Sequence, residues 1–220
     1  MSTLFITATD TGAGKTHVAC GLLRAARAQG IRACGYKPLA SGCALTPQGL
    51  RNEDALALQA AAATDEAYAA INPYAFAPAI APHLAARAAG IAVDVARLTA
   101  AHARLSARYE LVVVEGAGGW QVPLNEHDSF ADWVSTQQWP VLLVVGMRLG
   151  CINHALLSAE SIARRAALLG WVANALPPEM PYLADNIATL EQRMPAPRLE
   201  FTEILARRSD WAAAESSVRG

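Results

Sequence analysis

The chain contains two lysines, Lys15 and Lys37, among eighteen basic residues; the other sixteen are arginines. Where arginine supplies nearly every positive charge, the two exceptions mark places that need a compact, rotatable ammonium instead of a planar fork. Lys15 lies in TDTGAGKTH, between Gly14 and Thr16, the ending of a phosphate-binding loop, and Lys37 closes the extended segment IRACGYK. In such a loop, glycines let the backbone pass close to anionic oxygens, and successive N–H groups point at them. The helix that follows adds its positive dipole end. The spacing therefore predicts that Gly12, Ala13, Gly14, Lys15, Thr16 and His17 surround nucleotide phosphates. Lys15 would bridge the outer phosphates, and the Thr16 hydroxyl would hold Mg²⁺. Lys37 is expected to touch the reacting substrate. The generic loop pattern wants a glycine where Thr9 stands, and Ala8 is the nearest small residue before it.

Further along, LVVVEGAGG delivers Glu115 at the end of an apolar run, the arrangement expected of a magnesium-supporting carboxylate. Gly116, Ala117 and Gly118 after it, with Gly119, allow close backbone approach to phosphate or substrate. An acid–glycine turn also follows many parallel strands that bind nothing. Asp54, in RNEDAL, is a second carboxylate for the metal, with a plain helix N-cap as the alternative.

These residues need a scaffold. Short apolar runs at Leu4–Thr7, 31–36, Leu111–Val114, Val141–Val145 and 171–173 read as strands. Between them, helical periods span Lys15–Gln29, Asp54–Ala63, Asp94–Ala107, 153–169 and 184–193. In the fourth helix Ile152, Leu156, Ala159, Ala163 and Ala166 form the expected core-facing stripe. The strands do not alternate, as expected when helices cover both sheet faces. The order predicts an α/β fold: a doubly wound, mainly parallel sheet flanked by helices, with ligands beyond the carboxyl ends of the strands. At 220 residues it fits a single domain, 1–220. The proline-bearing stretch 72–83 reads as a loop over the site, and the tail after about residue 205 as loosely held.

A formal net charge of −1 argues against a nucleic-acid surface, and no apolar run is long enough to span a membrane. MSTLFITATD has no basic n-region or cleavage pattern, and Cys20, Cys34, Cys43 and Cys151 show no zinc-like spacing. Free, buried thiols in a cytoplasmic protein are the expectation.

TDTGAGKT, GYKPLASG, RNEDALAL, NPYAF with APH, VEGAGGW, FADWV, VVGMRLGCINHALL and GWVAN together resemble dethiobiotin synthetase, over Thr3 to about Pro197. The resemblance implies a P-loop NTPase-like ligase of biotin biosynthesis. Such an enzyme uses ATP and Mg²⁺ to close 7,8-diaminononanoate and CO₂ into a cyclic urea. It implies that Lys15, Thr16, Asp54 and Glu115 serve phosphate and magnesium, that Thr11, Lys37 and Ser41 serve the substrate, and that Asn174 meets the adenine. It implies a homodimer in which Gly150, Cys151 and Asn153 of one chain hold the substrate's distal carboxylate in the other's site. Three positions depart from the family pattern: Gly12 replaces a frequent acid, Ala8 the loop's first glycine, and 200–205 lacks the usual glycine-then-proline closing over the base. The alternative is a nucleotide-switch ATPase of the partition and cell-division type. Those carry a signature lysine where this chain has Asp10, and they end in a basic amphipathic helix that ARRSDWAAAESSVRG reproduces poorly.

Overall fold

The computed structural model describes residues 1–177, 180–208 and 211. The expectation of a loosely held tail falls largely on residues 209, 210 and 212–220, which lie outside the described residues.

The chain opens with β1 (Ser2–Ala8), α1 (Lys15–Ala28) and β2 (Ala33–Tyr36). Short strands β3 (Leu39–Ala40), β4 (Ala44–Thr46) and β5 (Gly49–Arg51) then lead into α2 (Glu53–Ala62) and α3 (Tyr68–Ile71). After β6 (Tyr74–Ala75) come α4 (Pro82–Ala88), α5 (Val95–Ser106), β7 (Leu111–Glu115) and α6 (Phe130–Gln137). The order closes with β8 (Val141–Met147), α7 (Cys151–Ala163), β9 (Leu168–Ala175), α8 (Leu183–Arg193) and α9 (Phe201–Ala206).

The five long strands form one parallel sheet in the order β2-β7-β1-β8-β9. Its side chains divide between two cores. Leu4, Ile6, Leu111, Val113, Leu142 and Val144 face α1, α2 and α9, while Phe5, Val112, Val114, Leu143 and Val145 face α5, α6 and α7. Alternate residues thus enter different apolar layers, which is why the strands read as unbroken apolar runs. The chain runs outward from β1 to β2, returns to β7, then crosses β1 to β8. That reversal leaves the carboxyl ends of β1 and β7, paired at Ile6 and Glu115, at the switch point where such sheets bind ligands.

Three expectations need correction. The fourth helix ends at Ala163, and 168–175 is the edge strand β9. The apolar residues Ala166, Leu168 and Leu169 continue a helical period in the sequence, but Leu168 pairs with Val141 instead. The buried stripe of α7 is Cys151, Ala155, Ala159 and Ile162, not the one beginning at Ile152. The 72–83 stretch is not all loop: β6 pairs with β3, and α4 starts at Pro82.

Candidate active site

Every feature of the site sits at the exit of a strand. The loop after β1 wraps from Thr9 to Gly14, and Gly14 caps α1 at φ 91°, in the left-handed region that favours glycine. A Cβ there would stand 1.9 Å from Asn174 Nδ2, which donates to the Ala13 carbonyl at 3.0 Å. Asn174, near the end of β9, therefore buttresses the loop. Gly146 of β8 acts instead by leaving space, since a Cβ there would lie 2.9 Å from Ala13 Cα. One strand end thus holds the loop through a side chain, and the other lets it settle onto the sheet by having none.

Lys15 is buried, and burial first, then the nearby charge of Lys37, brings its pKa down to about 8. The two ammonium groups thus sense one another. Lys37, 3% exposed, follows β2 and donates to Glu115 Oε1 at 2.6 Å, Asp54 Oδ2 at 3.1 Å and the Gly116 carbonyl at 3.2 Å. Burial works against its charge, but Glu115 and Asp54 more than offset that and hold its pKa above the ordinary value. Burial likewise disfavours the Asp54 charge, yet Lys37, the Thr16 hydroxyl and Lys15 together outweigh it and lower the carboxyl's pKa. Thr16 Oγ1 donates to the same Glu115 oxygen at 2.9 Å.

Asp54 is not the N-cap of α2. Asn52 caps it, accepting from the Ala55 N–H, and its own N–H donates to Tyr68 Oη at 2.7 Å. That fastening leaves Asp54, in the first turn, free to face Lys37.

The other oxygen of Glu115, Oε2, is buried without a hydrogen-bond partner among the described residues. A fully buried carboxylate oxygen with nothing to accept fits a cation that a nucleotide would bring. No group of three or more His, Cys, Asp and Glu side chains among the described residues could hold a metal alone. A divalent ion here would rest on Thr16, Asp54, Glu115 and phosphate oxygens, in the manner of magnesium sites.

These groups line a cavity of about 780 Å³ together with Thr11, Gly12, Gly14, Ser41, Ala117 and Gly118. One wall is charged. Another, made by Ala79, Ile80, Pro82, Val122 and Pro123, is apolar. The expected cover, 72–83, supplies Ala79, Ile80 and Pro82 to this wall, Pro82 also opening α4; Val122 and Pro123 were not among the expected residues.

The remaining expected residues lie elsewhere. Ala13 is a buried residue of the loop itself, His17 is exposed on α1, and Gly116 contributes its carbonyl to Lys37. Gly150 caps α7 at φ 94°, Cys151 is buried behind it, and Asn153 is exposed; none of the three lines this chain's cavity. At the 200–205 departure, α9 packs on α1, where the Phe201 ring occupies the space a Cβ on Gly21 would need.

A family model described as an AAA domain matches residues 2–205. An ATP-dependent dethiobiotin synthetase of Pseudomonas aeruginosa is 54% identical over 201 residues, covering 90% of this chain and 88% of the relative. Its namesake from Cellvibrio japonicus is 52% identical over 212 residues, 96% of this chain and 92% of the relative. Among solved structures, the septum site-determining protein of Pyrococcus horikoshii, complexed with Mg-ADP, superposes with a TM-score of 0.54 at 14% identity, covering 90% of this chain and 79% of that one. That likeness shows the fold alone: a doubly wound parallel sheet flanked by helices. With identities above half across nearly its whole length, the chain belongs to the ATP-dependent dethiobiotin synthetase family.

Proposed function

We infer that the protein closes 7,8-diaminononanoate and CO₂ into dethiobiotin at the expense of ATP, a carbon–nitrogen cyclo-ligase step of biotin biosynthesis. The observation that carries this reading is the convergence of two buried ammonium groups, Lys15 and Lys37, at the charged end of a cavity whose other wall is apolar. A phosphate loop alone needs one lysine. A second, buried beside it, suits an anion formed next to the triphosphate.

The chemistry follows from that charge. One amine of the substrate adds to CO₂ and loses a proton, giving a carbamate that is unstable near neutral pH unless its charge is neutralised. Lys37 and Lys15 are suited to this as paired point charges. A carbamate oxygen attacks the γ-phosphorus and the bond to the β-phosphate oxygen breaks, releasing ADP and leaving a carbamic–phosphoric anhydride. The neighbouring amine attacks the carbonyl carbon, phosphate departs, and loss of the amine proton completes the cyclic urea. As in other phosphoryl transfers, the protein positions reactants and neutralises charge. Mg²⁺, which Thr16, Asp54 and Glu115 would hold, supplies neutralisation of the phosphates when bound. Thr11 and Ser41, on opposite sides of Lys37 in sequence, both line the cavity and would orient the diamine. The apolar wall suits its hydrocarbon chain.

The protein is further proposed to act as a homodimer with composite sites. Gly150 and Asn153 stand at the start of a helix, where free N–H groups suit a carboxylate, yet they do not line their own chain's cavity. Around them Leu149 is 97% exposed, and Leu157, one turn beyond Asn153, is 57% exposed. Two large apolar side chains flanking an exposed polar helix start suit a second copy of the chain.

Phosphate release that requires both the diamine and bicarbonate tests the reading. Release with neither present would favour the nucleotide switch. Against that alternative, the position of its signature lysine is Asp10.

A further inference from the structure

Asp10 belongs to the loop after β1, and Arg148 to the turn between β8 and α7. Arg148 Nη2 donates to Asp10 Oδ2 at 2.5 Å, while Asp10 Oδ1 accepts the Thr11 N–H at 2.7 Å. Thr11 lines the cavity. The main chain of Arg148 is fixed as well, its carbonyl accepting the Cys151 N–H at 3.0 Å in the first turn of α7. One carboxylate oxygen thus ties the phosphate loop to the exit of the neighbouring strand, while the other bonds within the loop itself.

Charge matters here as much as geometry. A phosphate loop works because its N–H groups and its lysine present positive potential to the anion. Asp10 sets a negative charge within that loop, near enough to act on Lys15. Left unneutralised, the carboxylate would oppose the phosphates and offer Lys15 a competing partner.

We propose that Arg148 is a positioning residue for nucleotide binding, which neutralises Asp10 and holds it on the Thr11 N–H so that the loop's positive potential stays directed at the phosphates. The proposal rests on the reading that the 9–16 loop holds the nucleotide. The two side chains are about half exposed, at 47% and 52%, so the ion pair adds little to stability. Its effect belongs in nucleotide affinity.

Calorimetric titration of the full chain with Mg·ADP separates the possibilities. Arg148→Met is expected to weaken binding about fivefold, the size of a partly exposed charge interaction. Asp10→Asn removes the charge that Arg148 neutralises, so Asp10→Asn/Arg148→Met should bind like Asp10→Asn alone. Wild-type affinity in Arg148→Met overturns the proposal. So does a double variant weaker than Asp10→Asn by the full Arg148→Met penalty, which would mean that Arg148 acts independently of Asp10. A parent chain that fails to bind Mg·ADP, or a Lys15→Met variant that binds as tightly as the parent, would instead overturn the underlying reading of the loop.

Discussion

Lys37 and Glu115 form one buried ion pair: the ammonium lies 2.6 Å from Glu115 Oε1, and the two side chains are 4% and 0% exposed. The pair joins the ends of β2 and β7, adjacent strands of the sheet. The acid proposed to support the metal and the lysine proposed for the substrate are therefore one electrostatic unit. Lys37 keeps its charge in a dry site because Glu115 and Asp54 surround it.

Lys37→Arg is expected to abolish turnover while Mg·ADP binding stays near the parental value. The ammonium fits among three acceptors within 3.2 Å, and a planar guanidinium with a longer reach cannot occupy the same pocket. Steady-state rates close to those of the parent would contradict the role given to Lys37.

Glu115→Gln and Asp54→Asn should both weaken Mg²⁺-dependent activity and raise the Mg²⁺ concentration it needs, but their effects on stability should differ. Glu115→Gln keeps an oxygen acceptor but removes the buried countercharge, leaving Asp54 as the one charged partner among the three acceptors of Lys37, at a cost of about 3–5 kcal/mol. Asp54 is 43% exposed, so Asp54→Asn should cost less than about 1 kcal/mol. Urea melts and Mg²⁺ titrations of both variants check this. Equal stability losses would mean that Glu115 is not the principal partner of Lys37.

Gly146→Ala should lower both stability and nucleotide affinity. The added methyl meets Ala13 Cα at 2.9 Å and Leu176 Cδ1 at 2.9 Å, and the backbone contact cannot yield by a rotamer change. Overpacking of this kind costs about 1–3 kcal/mol. Here it would also lift the phosphate loop. Thermal melting and Mg·ADP titration matching the parent would show that the loop does not depend on this contact.

Stability should fall on acidification partly through His102. Its ring is packed 4.3 Å from the Trp139 ring, with Nε2 3.1 Å from Thr3 Oγ1, and burial brings its pKa from 6.5 to about 4. The unfolded chain then binds the extra proton as pH drops from about 6.5, and the loss is complete near 4. It amounts to roughly 3 kcal/mol. His102→Gln should flatten the slope of unfolding free energy against pH in that window alone. Parallel curves for variant and parent would contradict this.

Mixing an inactive Lys37→Ala chain with an inactive Asn153→Trp chain tests the composite site. Random exchange in a two-fold dimer would restore about a quarter of parental activity, since half the dimers are mixed and each has one intact site. A mixture that stays inactive after subunit exchange would place every site within one chain.

The five sheet strands and the loop at Gly12–Thr16 were legible because each is local: an apolar run, or glycines beside a lysine and a threonine. Boundaries set by tertiary pairing were not. Leu168 and Leu169 prolong the period of α7 in the sequence, and only pairing with Val141 makes them strand. Helix α6 was missed although Ser129 and Asp132 form a reciprocal capping box, because the acid is Asp where Glu or Gln is the usual signal. The site's charged residues could be named from spacing and resemblance. That one Glu115 oxygen accepts from both Thr16 and Lys37, and that Asn174 reaches back to Ala13, depends on strand ends brought together by the sheet.

The most direct test of the central claim follows the carbonyl. The purified chain is incubated with ATP, Mg²⁺, 7,8-diaminononanoate and ¹³C,¹⁸O-labelled bicarbonate, and organic product, ADP and phosphate are analysed by mass spectrometry before the label exchanges with water. The account predicts a cyclic urea carrying the ¹³C, ADP formed in equal amount, and one ¹⁸O transferred to the released phosphate, as attack by the carbamate oxygen requires. ADP formed at the same rate without diamine or bicarbonate, or a labelled urea with no ¹⁸O in the phosphate, would contradict it.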